Sequence, residues 1–235
     1  MEALVRKQEE LSQLPWKLKK RSILELAKAY DADGQYQNAI NSFRYLIKST
    51  DKFSSTVTNA AQLYLAKLQY RLLKPQQRTN DNPDMVAVLH ALKDLQIQKK
   101  LVEEPLHLEA ALQYAEIRSA LSDQENYAKN AHFFFKRMFE DFQSTGDPIG
   151  EEYNHLRSQY PEKDLIFSAY MQYLDAKLLH YQAQIAKMEK KYDQVPQLRK
   201  EALQLLDGLT HLEEALQPFL LERIKRAKVE IAQEL

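Results

Sequence analysis

Residues 27–47 read AKAYDADGQYQNAINSFRYLI and carry the clearest structural signal in the chain. Apolar residues recur at helical spacing on both sides of Gly34, so two amphipathic helices are predicted to meet at this glycine. Small side chains at Ala27 and Ala39 allow each helix to approach a neighbour closely, and the aromatic residues around them fill the remaining space. Two such helices cannot bury their apolar faces alone, which predicts further helices stacked on either side.

The same spacing resembles the tetratricopeptide repeat family. Its motif runs through a large residue, a leucine and small-residue pair, tyrosine, glycine, tyrosine, alanine and an aromatic residue. Those places are taken here by Ile23, Leu26, Ala27, Tyr30, Gly34, Tyr36, Ala39 and Phe43, and Asp51 stands near the place of the family's helix-stopping proline. Weaker echoes follow at Tyr70 and Ala131. The resemblance implies an all-α protein, an irregular α-solenoid of antiparallel helix hairpins with a less regular C-terminal helical bundle. An ordinary helical hairpin in an all-α domain is the alternative.

In this family the first helix of each pair lines a concave face that binds a partner. The groove-facing places of the first repeat fall on Arg21, Leu24, Lys28 and Asp31, and the weaker second match adds Tyr64, Leu68 and Arg71. The resemblance implies that these residues bind a partner. The lysine and asparagine that clamp C-terminal carboxylates in chaperone-adaptor members are absent, because Leu24 and Lys28 take their places. A chaperone-tail adaptor is therefore not expected.

Composition favours an all-α protein, and the sequence lacks several residue types and motifs on which catalytic sites are commonly built. Helix-forming residues dominate, whereas glycine occurs only 4 times and proline 8 times. There is no cysteine, which excludes disulfides, thiol catalysis and cysteine-based zinc sites. Glycine-rich phosphate loops, Gly-x-Ser-x-Gly and His-Glu-x-x-His motifs do not occur. We therefore expect neither enzyme activity nor a cofactor.

Breaks in the helical pattern predict roughly ten or eleven helices. Residues 74–83 hold two prolines and are predicted to form a loop, and residues 145–148 form a clear break. Residues 162–192 lack both glycine and proline, which predicts one long helix, and Pro218 is predicted to kink or restart the last one. We place a repeat region at residues 1–146 and a C-terminal helical region at residues 147–235, packed together as one continuous array.

Three further patterns leave alternatives open. Glu152-x-x-His155 has the spacing of di-metal sites in helical bundles, but without a second such pair an exposed pair is favoured over metal binding. Basic clusters at residues 17–21, 187–191 and 223–228 could contact phosphates or an anionic membrane, although acidic residues are interleaved with the last two. The run Phe133–Phe135 is predicted to be mainly core, with any remainder forming a groove for a partner helix.

Charge is zero overall but uneven along the chain. Residues 1–80 carry 14 basic and 7 acidic side chains, whereas residues 81–170 carry 9 basic and 16 acidic ones. Such segregation steers a partner or favours head-to-tail self-association. Alternatively, it is the ordinary variation of a helical protein in which 28% of residues are charged.

The sequence thus favours a non-catalytic scaffold or adaptor that binds a peptide segment or a folded protein. The alternatives are the soluble part of a bacterial envelope assembly or secretion accessory protein, and a helical-bundle metal-binding protein. We expect neither nucleic-acid binding nor a transmembrane segment, because the net charge is zero and no apolar run approaches bilayer thickness. A cytoplasmic location is expected, or a periplasmic or membrane-associated one if an anchor upstream of Met1 has been removed.

Overall fold

The computed structural model describes residues 16–48, 55–97, 106–121, 126–143, 161–212 and 214–234. In these ranges it contains nine α-helices and no β-strand, so the prediction of an all-α protein is confirmed. The chain divides into two compact units, Met1–Gln96 and Ile97–Leu235. The boundary predicted between residues 146 and 147 falls among residues 144–160, which the structure does not describe.

Four helices begin in the first unit and five lie in the second. The first four are α1 (Trp16–Ala32), α2 (Tyr36–Lys48), α3 (Ser55–Leu72) and α4 (Pro83–Ile97). The other five are α5 (Leu106–Ala120), α6 (Tyr127–Gln143), α7 (Pro161–Met188), α8 (Val195–Gly208) and α9 (Pro218–Gln233). Short 3₁₀ turns at Pro75–Gln77 and Thr210–Leu212 complete the described elements.

In the first unit α1 packs against both α2 and α3, and α2 packs against α3. Ala27 on α1 and Ala39 on α2 are both fully buried, as expected where small side chains allow close helix contact. The core around them is built from larger apolar residues on the same three helices, among them Leu24, Phe43, Leu46, Leu63 and Leu68. Each fully buried side chain of this size stabilises the fold by about 1.5–3 kcal/mol.

Gly34 ends α1 in the way that the sequence predicts. Its φ angle is +74°, in the left-handed region that glycine adopts without strain. The Gln35 amide donates to the Tyr30 carbonyl at 2.8 Å, and the Gly34 amide donates to the Asp31 carbonyl at 3.2 Å. This pair of bonds is a Schellman motif, which satisfies carbonyls left free at a helix end and turns the chain into α2.

The predicted loop at residues 74–83 is confirmed as the connection between α3 and α4. The Arg78 side chain anchors the loop to the end of α3. Its Nε donates to the Leu73 carbonyl at 3.1 Å, and its guanidinium lies 4.7 Å from the centre of the Tyr70 ring. Asn82 then caps α4, since its Oδ1 accepts bonds from the amides of Asp84 and Met85.

The second unit is organised around α7, the long helix that the sequence predicts from residue 162 onward. α7 packs against α6, α8 and α9, and α5 packs against α6. Its inward side chains include Tyr170, Tyr173 and Leu174, which share one apolar core with Phe135 of α6. These three residues share one face of α7, and Ala176 and Leu178, which lie on nearly opposite faces, are buried as well. α7 therefore has neighbours on several sides.

Two details of the second unit qualify the sequence analysis. In the phenylalanine run, Phe135 is fully buried and Phe134 partly so, whereas Phe133 is 56% exposed. Thr210–Leu212 forms a 3₁₀ turn, and the last helix begins at Pro218, as predicted for a restart. Proline suits this position because the first helical turn needs no intrahelical bond from its N–H.

Candidate functional site

The candidate site is the surface where α1 lies against α3. It is formed by Arg21, Glu25, Lys28, Asp31, Tyr64, Lys67 and Arg71, hereafter the α1–α3 face. Five of these residues belong to the seven partner-binding residues predicted from the sequence. Since α1 and α3 contact each other directly, residues about 40 positions apart in the chain come within reach.

Lys28 and Tyr64 form one contact across this face. The Lys28 Nζ atom lies 4.7 Å from the centre of the Tyr64 ring and 2.9 Å from Oε1 of Glu25. Partial burial would lower the pKa of Lys28, but the bond to Glu25 and the proximity of Tyr64 outweigh it, so the pKa is raised. The lysine therefore stays charged and is held over the aromatic ring in a cation–π arrangement.

Arg71 forms the second contact. Its guanidinium is paired with the Asp31 carboxylate and lies 5.6 Å from the centre of the Tyr36 ring. The Arg71 side chain is 55% exposed and that of Asp31 23% exposed, so the pair lies at the surface with the guanidinium accessible. Surface pairs of this kind stabilise a fold by no more than about 1 kcal/mol.

Tyr64 connects the face to the core beneath it. Its ring stacks on Phe43 of α2, with centroids 6.1 Å apart and planes 11° from parallel. The Lys67 Nζ atom lies 5.6 Å from the Tyr64 ring centre, so two lysines flank one fixed ring. An aromatic ring held from below and bordered by cations is a rigid contact surface with little conformational entropy left to lose on binding.

The structure removes two predicted residues from this surface. Leu24 is 6% exposed and Leu68 is 1% exposed, so both belong to the core and cannot contact a partner. The family's spacing gives the angular position of a residue on its helix, but burial depends on how closely the neighbouring helix approaches. Arg21 is exposed, as predicted.

The α1–α3 face carries four cations and two carboxylates, so it is net positive. It combines charge, aromatic surface and hydrogen-bond donors. Within the described part of this face, no histidine, serine or threonine is paired with a carboxylate in the way that nucleophilic catalysis requires. Its net charge attracts anionic groups more strongly than cationic ones.

A group of buried charges in the second unit has no signal in the local sequence. Lys177 and His180 of α7 are almost fully buried, and both face Glu230 of α9. The Lys177 Nζ atom lies 3.2 Å from Glu230 Oε2, and the His180 Nε2 atom lies 3.6 Å from Oε1, which is an ion-pair distance longer than a hydrogen bond. Gln184 approaches the same His180 nitrogen at 3.0 Å.

These contacts shift the pKa of each charged partner in a direction with a clear cause. The His180 side chain, reinforced by Lys177, lowers the pKa of Glu230 to about 2, although partial burial of the carboxyl opposes this. Burial alone would lower the pKa of Lys177, but Tyr173 and Glu230 outweigh it, so the pKa is raised. The group therefore holds a buried ammonium against a carboxylate.

Arg223 is a second buried charge, and here the structure differs from the sequence analysis. The sequence places it in an exposed basic cluster, yet it is only 8% exposed. Its Nε and Nη2 atoms donate to the two Glu116 oxygens at 2.8 and 3.1 Å, and Nη2 also donates to Gln113. Such planar two-point pairing is typical of arginine and fixes α9 against α5.

No group of three or more potential ligands is placed to hold a metal ion among the described residues. Glu152 and His155, the pair with di-metal spacing, lie outside the described residues. No described helix is both long enough and apolar enough to cross a lipid bilayer. Comparison with protein-family models, with curated proteins and with solved structures found no match.

Proposed function

We propose that this protein is a non-catalytic scaffold or adaptor, and that its α1–α3 face binds a segment of another protein. The first unit is, in this proposal, an irregular array of tetratricopeptide-like helix hairpins, with α1 and α2 as the first pair. The second unit is the less regular helical bundle that completes the scaffold. A single observation carries the proposal: Lys28, Tyr64 and Arg71, predicted as partner-binding residues from two separate helices, lie together on one accessible face.

The packing of the first unit supports the repeat interpretation. α1, α2 and α3 contact one another in the order expected when a helical pair is followed by the first helix of the next pair. The two small residues of the motif are fully buried, and its glycine has the left-handed conformation that a tight turn requires. These are the roles that the motif's residue types are suited to perform.

The chemistry of the face supports an acidic partner segment. Its cations outnumber its carboxylates, so approach of an anionic segment is electrostatically favoured over approach of a basic one. Tyr64 offers a flat apolar contact between Lys28 and Lys67, where a partner side chain could pack while its carboxylates reach the lysines. Tyrosine and arginine are also the residue types most often responsible for binding energy at interfaces.

The test is quantitative affinity capture from cells of the source organism, with the full chain as bait. The double variant Lys28→Glu and Arg71→Glu reverses two charges on the face, and Arg44→Glu with Lys48→Glu makes the same change on exposed positions of α2. We expect one or more proteins to be retained by the wild type and by the control and lost with the double variant. Each retained protein is then titrated as a purified component, where we expect at least tenfold weaker binding by the double variant. Equal affinity for all three baits would place the binding surface elsewhere.

A further inference from the structure

A second surface stands out at the turn between α7 and α8. All eight residues from 187 to 194 are exposed, and two of them are apolar or aromatic. Met188 is 46% exposed and Tyr192 is 61% exposed. One exposed apolar side chain is ordinary, but two projecting from a single turn among lysines form a distinct feature.

Four lysines surround these two side chains. Lys187, Lys190 and Lys191 lie on the turn itself, and Lys129 of α6 is close enough to act on Glu189. The pKa of Glu189 is lowered, first by its 2.7 Å bond from Lys191 and further by Lys129. Lys187 and Lys190 form no ion pair with any residue that the structure describes. Glu189 and Asp193 are exposed on the same turn, so the four lysines leave a net charge of +2. We name Lys129, Lys187, Met188, Lys190, Lys191 and Tyr192 the basic tip.

The backbone conformation of Lys190 is a second, independent reason to regard this turn as unusual. Its φ angle is +61°, and it is the only non-glycine residue of the described chain with a positive φ. The Lys191 amide donates to the Ala186 carbonyl at 2.9 Å, and the Lys190 amide donates to the Lys187 carbonyl at 3.2 Å. This is the same Schellman motif that Gly34 forms at the end of α1, with lysine where glycine fits best. The Lys190 side chain therefore projects from an exposed turn where glycine would fit with less strain.

We propose that the basic tip docks on an anionic lipid surface, with Met188 and Tyr192 entering the headgroup region and the lysines contacting anionic headgroups. Three observations favour a lipid surface over other anionic partners. The tip is a run of exposed residues rather than a groove, so it has no walls to hold a peptide. Its cations are all lysines, whereas two-point recognition of phosphates or carboxylates favours arginine. Met188 has no strong hydrogen-bonding group, so it suits an interfacial apolar layer better than a nucleobase.

The test measures binding of the full chain to two kinds of lipid vesicle by co-sedimentation. One kind is phosphatidylcholine alone, and the other contains about one third phosphatidylglycerol. We expect binding to the anionic vesicles, little binding to the neutral ones, and loss of binding as salt is raised. A lysine near an anionic bilayer strengthens binding about fivefold, so Lys187→Glu with Lys190→Glu should weaken it more than tenfold. Met188→Ser with Tyr192→Ser should weaken it about tenfold without changing the salt dependence.

Two variants separate a lipid-binding role from an effect on folding. Lys225→Glu with Arg226→Glu changes the charge equally on exposed positions of α9 and should leave vesicle binding unchanged. Lys190→Gly relieves the backbone strain, so it should raise the Tm of the protein and yet weaken vesicle binding about fivefold. The proposal is overturned if the wild type does not bind anionic vesicles, or if the tip variants bind as tightly as the α9 control. It is also overturned if the wild type binds single-stranded DNA or polyglutamate through the tip and does not bind vesicles.

Discussion

Replacing Glu230 with glutamine should destabilise the second unit because it leaves a buried ammonium without a counter-charge. Lys177 is 7% exposed, and its Nζ atom has the Glu230 carboxylate at 3.2 Å and the Tyr181 ring centre at 4.7 Å. Removing one partner of a fully buried pair costs about 3–5 kcal/mol. Since the Glu230 side chain is 41% exposed and partly screened by water, we expect a smaller loss, about 2 kcal/mol.

The assay is urea denaturation followed by circular dichroism, with two further variants. Glu222→Gln breaks an exposed ion pair with Arg226 on the same helix, where the two side chains are 71% and 67% exposed, and should cost no more than about 0.5 kcal/mol. Combining Glu230→Gln with Lys177→Met removes both charges and should recover most of the lost stability. If Glu230→Gln costs no more than Glu222→Gln, or if the two changes are additive, the buried pair does not act as described.

The same group gives the protein a specific pH dependence. The folded-state pKa of Glu230 is about 2, below its ordinary value of 4.5. A carboxyl whose pKa is lowered by folding contributes stability above its unfolded-state pKa and loses it as the pH falls toward the folded-state value. The stability difference between the wild type and Glu230→Gln should therefore be largest near neutral pH and shrink as the pH is lowered from about 4.5 to 2.

The two Schellman turns predict opposite effects of substitution, both measured by urea denaturation. Lys190→Gly should stabilise the second unit by about 1 kcal/mol, because glycine adopts the left-handed conformation without strain; a loss of stability would contradict this. Gly34→Ala should destabilise the first unit by about 1 kcal/mol. The nearest atom to the added Cβ is the Tyr36 hydroxyl at 4.0 Å, so backbone strain is the whole cause and a neutral result would refute it.

Much of the fold follows from local sequence signals. Helical periodicity predicts α7 nearly from end to end, and prolines mark the starts of α4, α7 and α9. Gly34 marks the end of α1. Lys190 shows the limit of such signals, because the hydrogen bonds that end α7 are those of a glycine turn while the residue is lysine. A rule that looks for glycine cannot find this helix end.

The candidate site was predictable only in part, for a different reason. Repeat spacing indicates which residues point to the same side of α1, so Lys28 and Asp31 were identified together. It does not indicate how deeply the next helix covers that side, so it predicts a surface position for Leu24, which is buried in the structure. Whether a residue is buried depends on its own helix and on the helix that packs against it, so the sequence of one helix is not enough to predict burial.

The buried charges extend this argument to the second unit. Lys177 is 53 residues from its partner Glu230, and Arg223 is 107 residues from Glu116. Nothing in the sequence near a charged residue indicates whether a counter-charge will meet it from so far along the chain. Once the helices are in place, however, each pair joins α9 to one position on a neighbouring helix. Sliding α9 by one turn, about 5.4 Å, would separate Glu230 from Lys177 and Arg223 from Glu116. These pairs therefore help to fix the position of α9 along its neighbouring helices, in addition to any effect on stability.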